Sequence, residues 1–192
     1  MRLLFFSDVH GVPERLKQLW KQADALCPDR LILLGDALYH GPRNGVPFQY
    51  DTTETAALLN ARKESILAVR GNCDAEVDQM MLEFPILSDS AGLYADGIYL
   101  FLTHGHLFHE YRLPPLQPGD VLVHGHTHIP ELKRLPGGII LFNPGSISLP
   151  KGGNIPTFGF YENHILSIRA LSDSTVLREM EIRETPNEFQ EI

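Results

Sequence analysis

Apolar stretches of strand length and helix length alternate along the first third of the chain. Residues 2–7 form a continuous apolar run, and after a Gly-Val-Pro turn apolar residues recur at helical spacing over residues 14–26. The same order follows again, with a buried strand over residues 30–34 and a helix over residues 52–62. A third apolar strand covers residues 65–69. Such alternation predicts an α/β fold with parallel strand pairing.

Shorter strand-like stretches, separated by turns of Gly, Pro, Asn and Ser, fill the second half of the chain. Helices first and hairpins later predict two mixed β-sheets that face each other and are flanked by helices. We expect one domain over residues 1–182 and a loose polar tail over residues 183–192, and either Thr52 or Thr53 as the cap of the second helix. The later strands are predicted over residues 98–103, 121–124, 139–142, 157–161, 165–170 and 176–182.

Composition and charge narrow the classes of function. Hydrophobic residues make up 43% and charged residues 21% of the chain, as in a folded globular protein. The formal net charge of -8 provides no basic field for nucleic acid, which disfavours a nuclease. No apolar run reaches the roughly 18 to 20 residues of a membrane span, and Asp8 comes too early for a signal peptide. The sequence therefore predicts a cytoplasmic protein, and two cysteines, Cys27 and Cys73, are too few for a disulfide framework, so we expect reduced thiols.

Five groups of candidate metal ligands directly follow apolar strands, at the ends where α/β folds place their sites. Within two of the groups the ligands are two residues apart, which puts both side chains on the same side of an extended chain. Any single group is also explained by hydrogen-bonded structural residues, but five together predict one metal site. The groups are Asp8-Val9-His10, Gly35-Asp36, Gly71-Asn72-Cys73-Asp74, Thr103-His104-Gly105-His106 and Gly125-His126-Thr127-His128.

The order of these groups resembles the pattern of the calcineurin-like metallophosphoesterase family from Asp8 to His128. The resemblance implies an αββα sandwich of two mixed sheets and hydrolysis of phosphate esters. Longer segments are similar to bacterial phosphodiesterases of that family, and this closer likeness covers nearly the whole chain. The segments are Leu34-Gly35-Asp36, residues 39–44, residues 69–74, residues 102–108, Phe142-Asn143-Pro144-Gly145-Ser146 and residues 150–154.

The resemblance also implies a set of ligands for two divalent metal ions. Carboxylate, amide and imidazole ligands without thiolate suit manganese, iron, zinc or nickel, and the family likeness implies that manganese supports activity best. Asp36 would bridge the two ions. The first ion would be held by Asp8, His10 and His128, and the second by Asn72, His104 and His126.

Two cations about 3.5 Å apart produce hydroxide from bridging water at neutral pH and neutralise phosphate oxygens as charge develops. The predicted reaction is in-line attack of that hydroxide on phosphorus, so that no covalent phosphoenzyme forms. We expect Asp36, Asn72, Cys73 and Asp74 to serve catalysis, with Asp74 orienting a neighbour of the metal site.

Cys73 departs from many relatives, in which a histidine at this place assists the leaving group or binds phosphate. A thiol with an ordinary pKa of about 8.5 is a weak donor without positive charge. Alkyl monoesters, with poor leaving groups, should suffer most from this change, which favours a phosphodiesterase. A half-buried filler without a chemical role is the alternative for Cys73.

Other polar residues receive weaker assignments. Arg43 and Asn44 are candidates to contact the substrate phosphate or its leaving group, although Asn44 also suits a turn. His106 is either a substrate contact or a helper of His104. We expect no catalytic role for His40, His109, His124, His164 and Lys151.

Three alternatives to a phosphodiesterase stay open. A phosphomonoesterase comes first, a nuclease second, and a non-catalytic protein-binding scaffold of the same fold belongs to another class. The complete ligand set argues against the scaffold. The expected partner is a small-molecule phosphodiester, with no membrane association, and a homo-oligomer is a further expectation. Neither a dinucleotide-binding nor a P-loop glycine motif is present.

Overall fold

Eleven strands and three helices make up residues 1–182, which are the residues that the computed structural model describes. The predicted polar tail, residues 183–192, lies outside the described residues. A 3-10 turn at Lys63–Ser65 precedes the third strand. In chain order the elements are β1 (Arg2–Phe6), α1 (Pro13–Leu26), β2 (Arg30–Leu33), α2 (Thr52–Asn60), β3 (Ile66–Ala68), α3 (Glu76–Met81), β4 (Ser90–Ala95), β5 (Ile98–Thr103), β6 (Val121–Val123), β7 (Glu131–Arg134), β8 (Ile140–Asn143), β9 (Thr157–Glu162), β10 (Ile165–Ala170) and β11 (Val176–Glu181).

The strands form two mixed sheets. The first has the order β11-β10-β9-β1-β2-β3, in which β1, β2 and β3 run parallel and the others pair antiparallel. The second has the order β4-β5-β6-β8-β7, with β5, β6 and β8 parallel and antiparallel strands at both edges. This arrangement confirms the predicted pair of mixed sheets.

The alternation of β1 divides the core into two layers. Leu3 and Phe5 point toward the second sheet, where Phe5 meets Phe142 edge to face with ring centroids 5.4 Å apart. Leu4 and Phe6 point the other way, into the layer beneath the helices. Each such fully buried apolar side chain stabilises the fold by about 1.5–3 kcal/mol, so β1 anchors both layers at once.

The helical layer covers the first sheet. Buried Leu16 and Leu19 of α1 and Leu59 of α2 pack there, as helical spacing predicted. The outer face of the second sheet, at Leu122 and Leu141, is covered by apolar side chains from loops and a neighbouring strand. Among residues 1–182 no helix is both long and apolar enough to cross a membrane.

The cap of α2 differs from the prediction of Thr52 or Thr53. Asp51 has the extended backbone of a capping residue, and its Oδ1 accepts the backbone N–H of Glu54 at 2.8 Å. A carboxylate beside the positive end of a helix is stabilised by the helix dipole as well. The helix therefore begins at Thr52 but is capped one residue earlier than predicted.

Three elements were not predicted from the sequence pattern. The helix α3 has six residues, β4 contains Gly92, and β7 is the mostly charged segment Glu-Leu-Lys-Arg. The strand β7 lies at a sheet edge, where charged side chains are common because they discourage further strand pairing. Apolar periodicity cannot detect an element that buries so little apolar surface.

The loops that follow β1, β2, β3, β5 and β6 meet at one end of the two sheets. Parallel pairing aligns the carboxyl ends of β1, β2 and β3, and likewise those of β5, β6 and β8. Backbone hydrogen bonds join the loops, for example from Gly125 N to the carbonyl of His104 at 2.8 Å. All five candidate groups therefore lie at the same end of the fold.

Candidate metal centre

The loops after β1 and β2 bring the first carboxylates together. Asp8 N donates to the carbonyl of Gly35 at 3.1 Å, and His10 N donates to that of Asp36 at 3.0 Å. These contacts extend the parallel pairing of β1 and β2 beyond the strands. Asp8, His10 and Asp36 are all buried, so their polar atoms have little access to water and depend on partners within the site.

Five of the predicted ligands have a left-handed backbone, which is rare for residues with a side chain. Positions of this kind cost about 1–3 kcal/mol each and persist only where the surroundings fix them, most often at functional sites. The φ angles are 56° at Asp8, 49° at His10, 56° at Asp36, 67° at His126 and 61° at His128.

Backbone carbonyls fix the tautomers of three histidines. The Nδ1 atoms of His10, His104 and His128 lie within hydrogen-bonding distance of a carbonyl oxygen. Because a carbonyl only accepts, Nδ1 carries the hydrogen and Nε2 is left to face the centre, as in most metal-binding histidines. The accepting oxygens belong to Tyr39 at 2.7 Å, Leu34 at 2.6 Å and Leu149 at 2.6 Å.

The first three predicted ligands leave a place for a cation. Nε2 of His10 and Nε2 of His128 lie 3.4 Å apart. In both rings Nδ1 carries the hydrogen and donates it to a carbonyl, so neither Nε2 has a hydrogen to donate to the other. Oδ1 of Asp8 is buried without a hydrogen-bond partner among residues 1–182, and it lies 3.3 Å from Nε2 of His128. Two facing lone pairs beside a carboxylate oxygen repel one another unless a positive charge lies between them. These residues therefore fit a divalent metal ion.

The other ligands continue this cluster. Nε2 of His104 lies 3.1 Å from Oδ1 of Asn72 and 3.2 Å from Nδ1 of His126. Oδ2 of Asp36 lies 3.4 Å from Nε2 of His104 and 3.7 Å from Nε2 of His10, between the two ligand groups. All seven predicted ligands are thus brought together, with Asp36 where a bridging carboxylate would lie.

The charges of the site act strongly on one another. Burial alone would raise the pKa of Asp8, but His128 and His104, when protonated, hold that pKa well below the ordinary range. Burial would lower the pKa of His104, but the hydrogen bond and charge of Asp36 raise it to about 9. Burial and the positive charge of His104 lower the pKa of His126 to about 4. Without a metal, the cluster therefore binds a proton at His104.

Asp74 holds the loop that presents Asp36. Its carboxylate accepts the backbone N–H groups of Asp36 at 2.9 Å, Ala37 at 2.8 Å and Gly71 at 2.7 Å. Burial raises the pKa of Asp74 to about 6, although these three hydrogen bonds oppose the shift. The predicted role of Asp74 in orienting a neighbour is supported by these contacts.

Gly71 leaves no space beside Asp36. A side chain at Gly71 would collide with Oδ1 and the backbone N of Asp36. The next loop residues also contact this carboxylate, because Cys73 N donates to Oδ1 of Asp36 at 2.8 Å. The glycine in the Gly71-Asn72-Cys73-Asp74 group is therefore needed for close approach of two backbones.

Without bound metal, the thiol of Cys73 is a poorer acid than an ordinary cysteine thiol. Burial and the charge of Asp36 raise its pKa to about 12, so the thiol is neutral at physiological pH. Asn72 Nδ2 donates to Cys73 Sγ at 3.1 Å. Sγ also lies within 4.8 Å of ligand atoms of His10 and Asp36, so the thiol is located within the ligand cluster.

A cavity of about 40 Å³ opens onto the cluster. Its lining includes Asp36, Arg43, Asn44, Cys73 and Lys151, and we call it the inner cavity. Arg43 and Asn44, predicted as substrate contacts, therefore lie in the wall of a cavity beside the ligand cluster. Asn44 Nδ2 also donates to the carbonyl of residue 40 at 2.7 Å, which is the turn-forming role considered for it. Lys151 was given no catalytic role, yet it lines the same cavity.

His106 lies apart from Arg43 and Asn44. Its ring packs beside those of His104 and His126, with centroids 5.5 Å and 6.2 Å away. It lines a separate cavity of about 290 Å³. We call this the outer cavity, and its walls include His106, His109, Tyr111 and His126.

Two residues without a predicted role, Asn143 and Ser146, support the ligand loops. Asn143 Nδ2 donates to the carbonyl of Gly125 at 2.9 Å and to Thr127 Oγ1 at 3.0 Å. Ser146 Oγ donates to the carbonyl of Asp8 at 2.9 Å. A signal was present, because Asn143-Pro144-Gly145-Ser146 follows an apolar strand just as the five assigned groups do.

Two facing mixed sheets that gather carboxylates, an amide and imidazoles at one end define the class of metallophosphoesterases. The chain belongs to the calcineurin-like phosphoesterase superfamily, whose domain model matches residues 1–164. The predicted family is therefore confirmed.

Named relatives agree with this membership. The chain is 46% identical over 185 residues to phosphodiesterase YfcE of Escherichia coli K12, covering 95% of this chain and 98% of the relative. A solved structure of YfcE, described as a phosphoesterase from E. coli, matches with a TM-score of 0.92 and 43% identity, over 95% of this chain and 100% of that one. The chain is also 31% identical over 159 residues to the probable metallophosphoesterase YsnB of Bacillus subtilis 168, which covers 79% of this chain and 78% of that relative. The match to the YfcE structure confirms the predicted fold class.

Proposed function

We propose that this metallophosphoesterase hydrolyses phosphodiesters with two divalent ions, of which manganese is the best candidate. The observation that carries the proposal is the cluster of seven ligands, five of them buried, in which a carboxylate oxygen lies beside two imidazole Nε2 atoms whose rings already donate through Nδ1. The name of the YfcE relative, a phosphodiesterase at 46% identity, supports the choice of diester.

The cluster divides into two ligand groups around Asp36. The first ion would be held by Asp8, His10 and His128, and the second by Asn72, His104 and His126. When bound, such ions would activate water as the nucleophile and offset charge on the phosphate oxygens. Zinc, iron and nickel suit the same ligand types, and manganese is preferred on the family likeness alone.

The protein's own residues bind the phosphate and keep the centre in place. Arg43 and Lys151 supply positive charge to the inner cavity, where phosphate oxygens would lie. Asp74 fixes the loop of Asp36 through three backbone hydrogen bonds. Water activated by the bound ions would be the nucleophile, so no phosphoenzyme is expected.

A diester is favoured over a monoester by the chemistry of Cys73. A thiol is a weak proton donor and carries no positive charge. A monoester carries an additional negative charge, and an alkyl leaving group needs a proton donor. Because Cys73 supplies neither a positive charge nor a ready proton, alkyl monoesters should be hydrolysed slowly. Diesters with good leaving groups need less help. A phosphomonoesterase is the second candidate, and the net charge of -8 disfavours a nuclease.

A protein-binding scaffold would not need this site. Five ligands hold strained backbone conformations, and Asp8 buries a carboxylate oxygen without a hydrogen-bond partner among residues 1–182, both at a cost to stability. A purely structural role leaves that cost without a purpose, whereas metal binding offsets it. We therefore place the scaffold behind both enzyme activities.

The test compares two activated substrates with manganese present. The protein should hydrolyse bis(p-nitrophenyl) phosphate with a kcat/KM at least about tenfold above that for p-nitrophenyl phosphate, because the two share one leaving group and Cys73 supplies no positive charge for the additional negative charge of the monoester. Equal or higher monoesterase activity would favour the phosphomonoesterase. If neither substrate is hydrolysed with any of the candidate metals, the result would favour the scaffold.

We also propose a cytoplasmic location and self-association. Both thiols, Cys27 and Cys73, are free, in keeping with a reducing compartment. Phe48 and Met80 are each 87% exposed, and such apolar side chains suit contact with another copy of the chain. Sedimentation velocity with and without Phe48→Ser and Met80→Ser tests the second point, since a monomer at all concentrations contradicts it.

A further inference from the structure

The inner and outer cavities share His126 in their walls but differ greatly in size. The inner cavity has a volume of about 40 Å³, against about 290 Å³ for the outer cavity. A single water needs roughly 10–15 Å³ on this measure, whereas small-molecule sites begin near about 300 Å³. The inner cavity thus suits the phosphate group, and the outer cavity is large enough for an organic group beside it.

The walls of the outer cavity are rich in rings. The rings of His109 and Tyr111 meet edge to face with centroids 6.1 Å apart, and Tyr111 N donates to His109 Nδ1 at 3.3 Å. Tyr111 is 88% exposed, so its ring adds little to the core and is free to pack on a ligand. On the side of the metal centre, His106 has a buried Nδ1 without a partner among the described residues. This wall offers ring surfaces and one unused polar atom.

The charges in the same wall select against anions. Glu110 and Glu131 both contribute carboxylates to it. Lys133 Nζ binds both, at 2.6 Å from Glu110 and 2.8 Å from Glu131. One ammonium against two carboxylates leaves the group with a net negative charge. An uncharged group is therefore favoured over one that carries a second phosphate or carboxylate.

Resting on the proposed diesterase activity, we propose that the outer cavity binds the organic group that stays on phosphorus, and that it prefers an uncharged planar ring. In hydrolysis the water oxygen bonds to phosphorus, the bond from phosphorus to the leaving oxygen breaks, and a proton of the water ends on the leaving alcohol. The inner cavity, lined by Cys73, Arg43 and Asn44, has room for the phosphate but not for an aryl group beside it. The retained aryl group therefore extends past His126 and His106 into the outer cavity.

The substrates for a test share one leaving group and differ in what is retained. Bis(p-nitrophenyl) phosphate keeps an aryl group after loss of p-nitrophenolate, and methyl p-nitrophenyl phosphate keeps a methyl group. In the manganese-loaded full chain, Tyr111→Ala should lower kcat/KM for the aryl diester about three- to tenfold, mainly through KM, as expected for one lost ring contact. The methyl diester should change less than about twofold, and Tyr111→Phe should keep the wild-type preference.

The controls separate this inference from the proposed function. Tyr94→Ala removes another exposed tyrosine, on β4, and should leave both diesters unchanged. Equal losses on both diesters with Tyr111→Ala, or no loss on either, would overturn the inference while the diesterase activity stands. A binding measurement needs no turnover: in zinc-loaded protein, diphenyl phosphate should shift the backbone amide resonances of His109 and Tyr111, and dimethyl phosphate should not. Unshifted resonances with diphenyl phosphate would overturn the inference even in an inactive protein.

Discussion

The carboxylate of Asp74 accepts the backbone N–H of Asp36 at 2.9 Å, so that one acidic residue fixes the loop that presents another. The same carboxylate also binds the N–H groups of Ala37 and Gly71. It therefore joins the ends of two neighbouring parallel strands, β2 and β3, next to Asp36, the proposed bridging ligand. The position of Asp36 is set by backbone contacts of Asp74, and this rigidity is what a bridging carboxylate requires.

Gly71→Ala tests how closely the two loops must approach. The added methyl group would overlap Oδ1 and the backbone N of Asp36, so the loop must shift. Diesterase activity should fall about 100-fold, as for a displacement near 1 Å, and stability should fall by about 1–3 kcal/mol. Gly45→Ala is the matched control, because nothing lies within 4 Å of its added methyl group. Full activity of Gly71→Ala, measured with the folded protein, would contradict the close packing.

Asp36→Asn tests the bridging carboxylate itself. The amide is similar in size but removes the charge that faces both ligand groups, so metal affinity and turnover should each fall at least about 100-fold. Asp24→Asn removes an exposed carboxylate that pairs with Arg62 and should leave both unchanged. Metal analysis and diester hydrolysis are measured on the same samples. An unchanged rate and metal content in Asp36→Asn would refute the role of Asp36.

Cys73→His tests why diesters are favoured. An imidazolium donates a proton at neutral pH more readily than a thiol, and it carries the positive charge that a thiol lacks. The ratio of monoesterase to diesterase activity should therefore rise at least about tenfold. Cys73→Ala should leave that ratio unchanged, because the neutral thiol contributes little. The same ratio in Cys73→His and wild type would make Cys73 a filler residue.

Metal uptake should release a proton. Asp36 raises the pKa of His104 from its ordinary value of 6.5 to about 9, against the effect of burial, so His104 is protonated at pH 7 without metal. Its Nε2 must lose that proton to bind an ion. Calorimetry in buffers with different ionisation heats should give about one proton released per chain at pH 7, and fewer as the pH passes 9. A binding heat that is independent of the buffer would contradict this.

The same shift predicts the pH dependence of stability in the metal-free protein. A histidine whose folded pKa exceeds its unfolded value stabilises the fold fully below about pH 6.5, and this contribution is lost as the pH rises through about 9. Urea unfolding of the metal-free protein should therefore show falling stability between these values. His104→Gln should remove most of that slope.

The candidate site could be predicted because its residues follow strands that are plainly apolar. Asp8, Asp36 and Asn72 come after β1, β2 and β3, whose parallel pairing gathers their carboxyl ends. The order of the five groups then pointed to a family, which residues 1–164 match. The local sequence pattern was sufficient to predict the site because each ligand group directly follows the strand that positions it.

Other features depend on contacts between residues distant in sequence. The pKa of Cys73 rises because of burial and the charge of Asp36, which no local pattern displays. Lys151 reaches the inner cavity through its loop, and Asn143 supports a ligand loop from a neighbouring strand. The edge strand β7 was missed because charge rather than apolar alternation suits an exposed edge. Each of these needs the tertiary structure.

The most direct test of the central claim is the metal content of the active protein. The chain is dialysed against a chelator, reloaded with manganese and analysed for bound metal while hydrolysis of bis(p-nitrophenyl) phosphate is followed. We expect no turnover without metal, and full turnover when two manganese ions are bound per chain. Full diesterase activity in metal-free protein, or saturation of activity at one ion per chain, would contradict a two-metal phosphodiesterase.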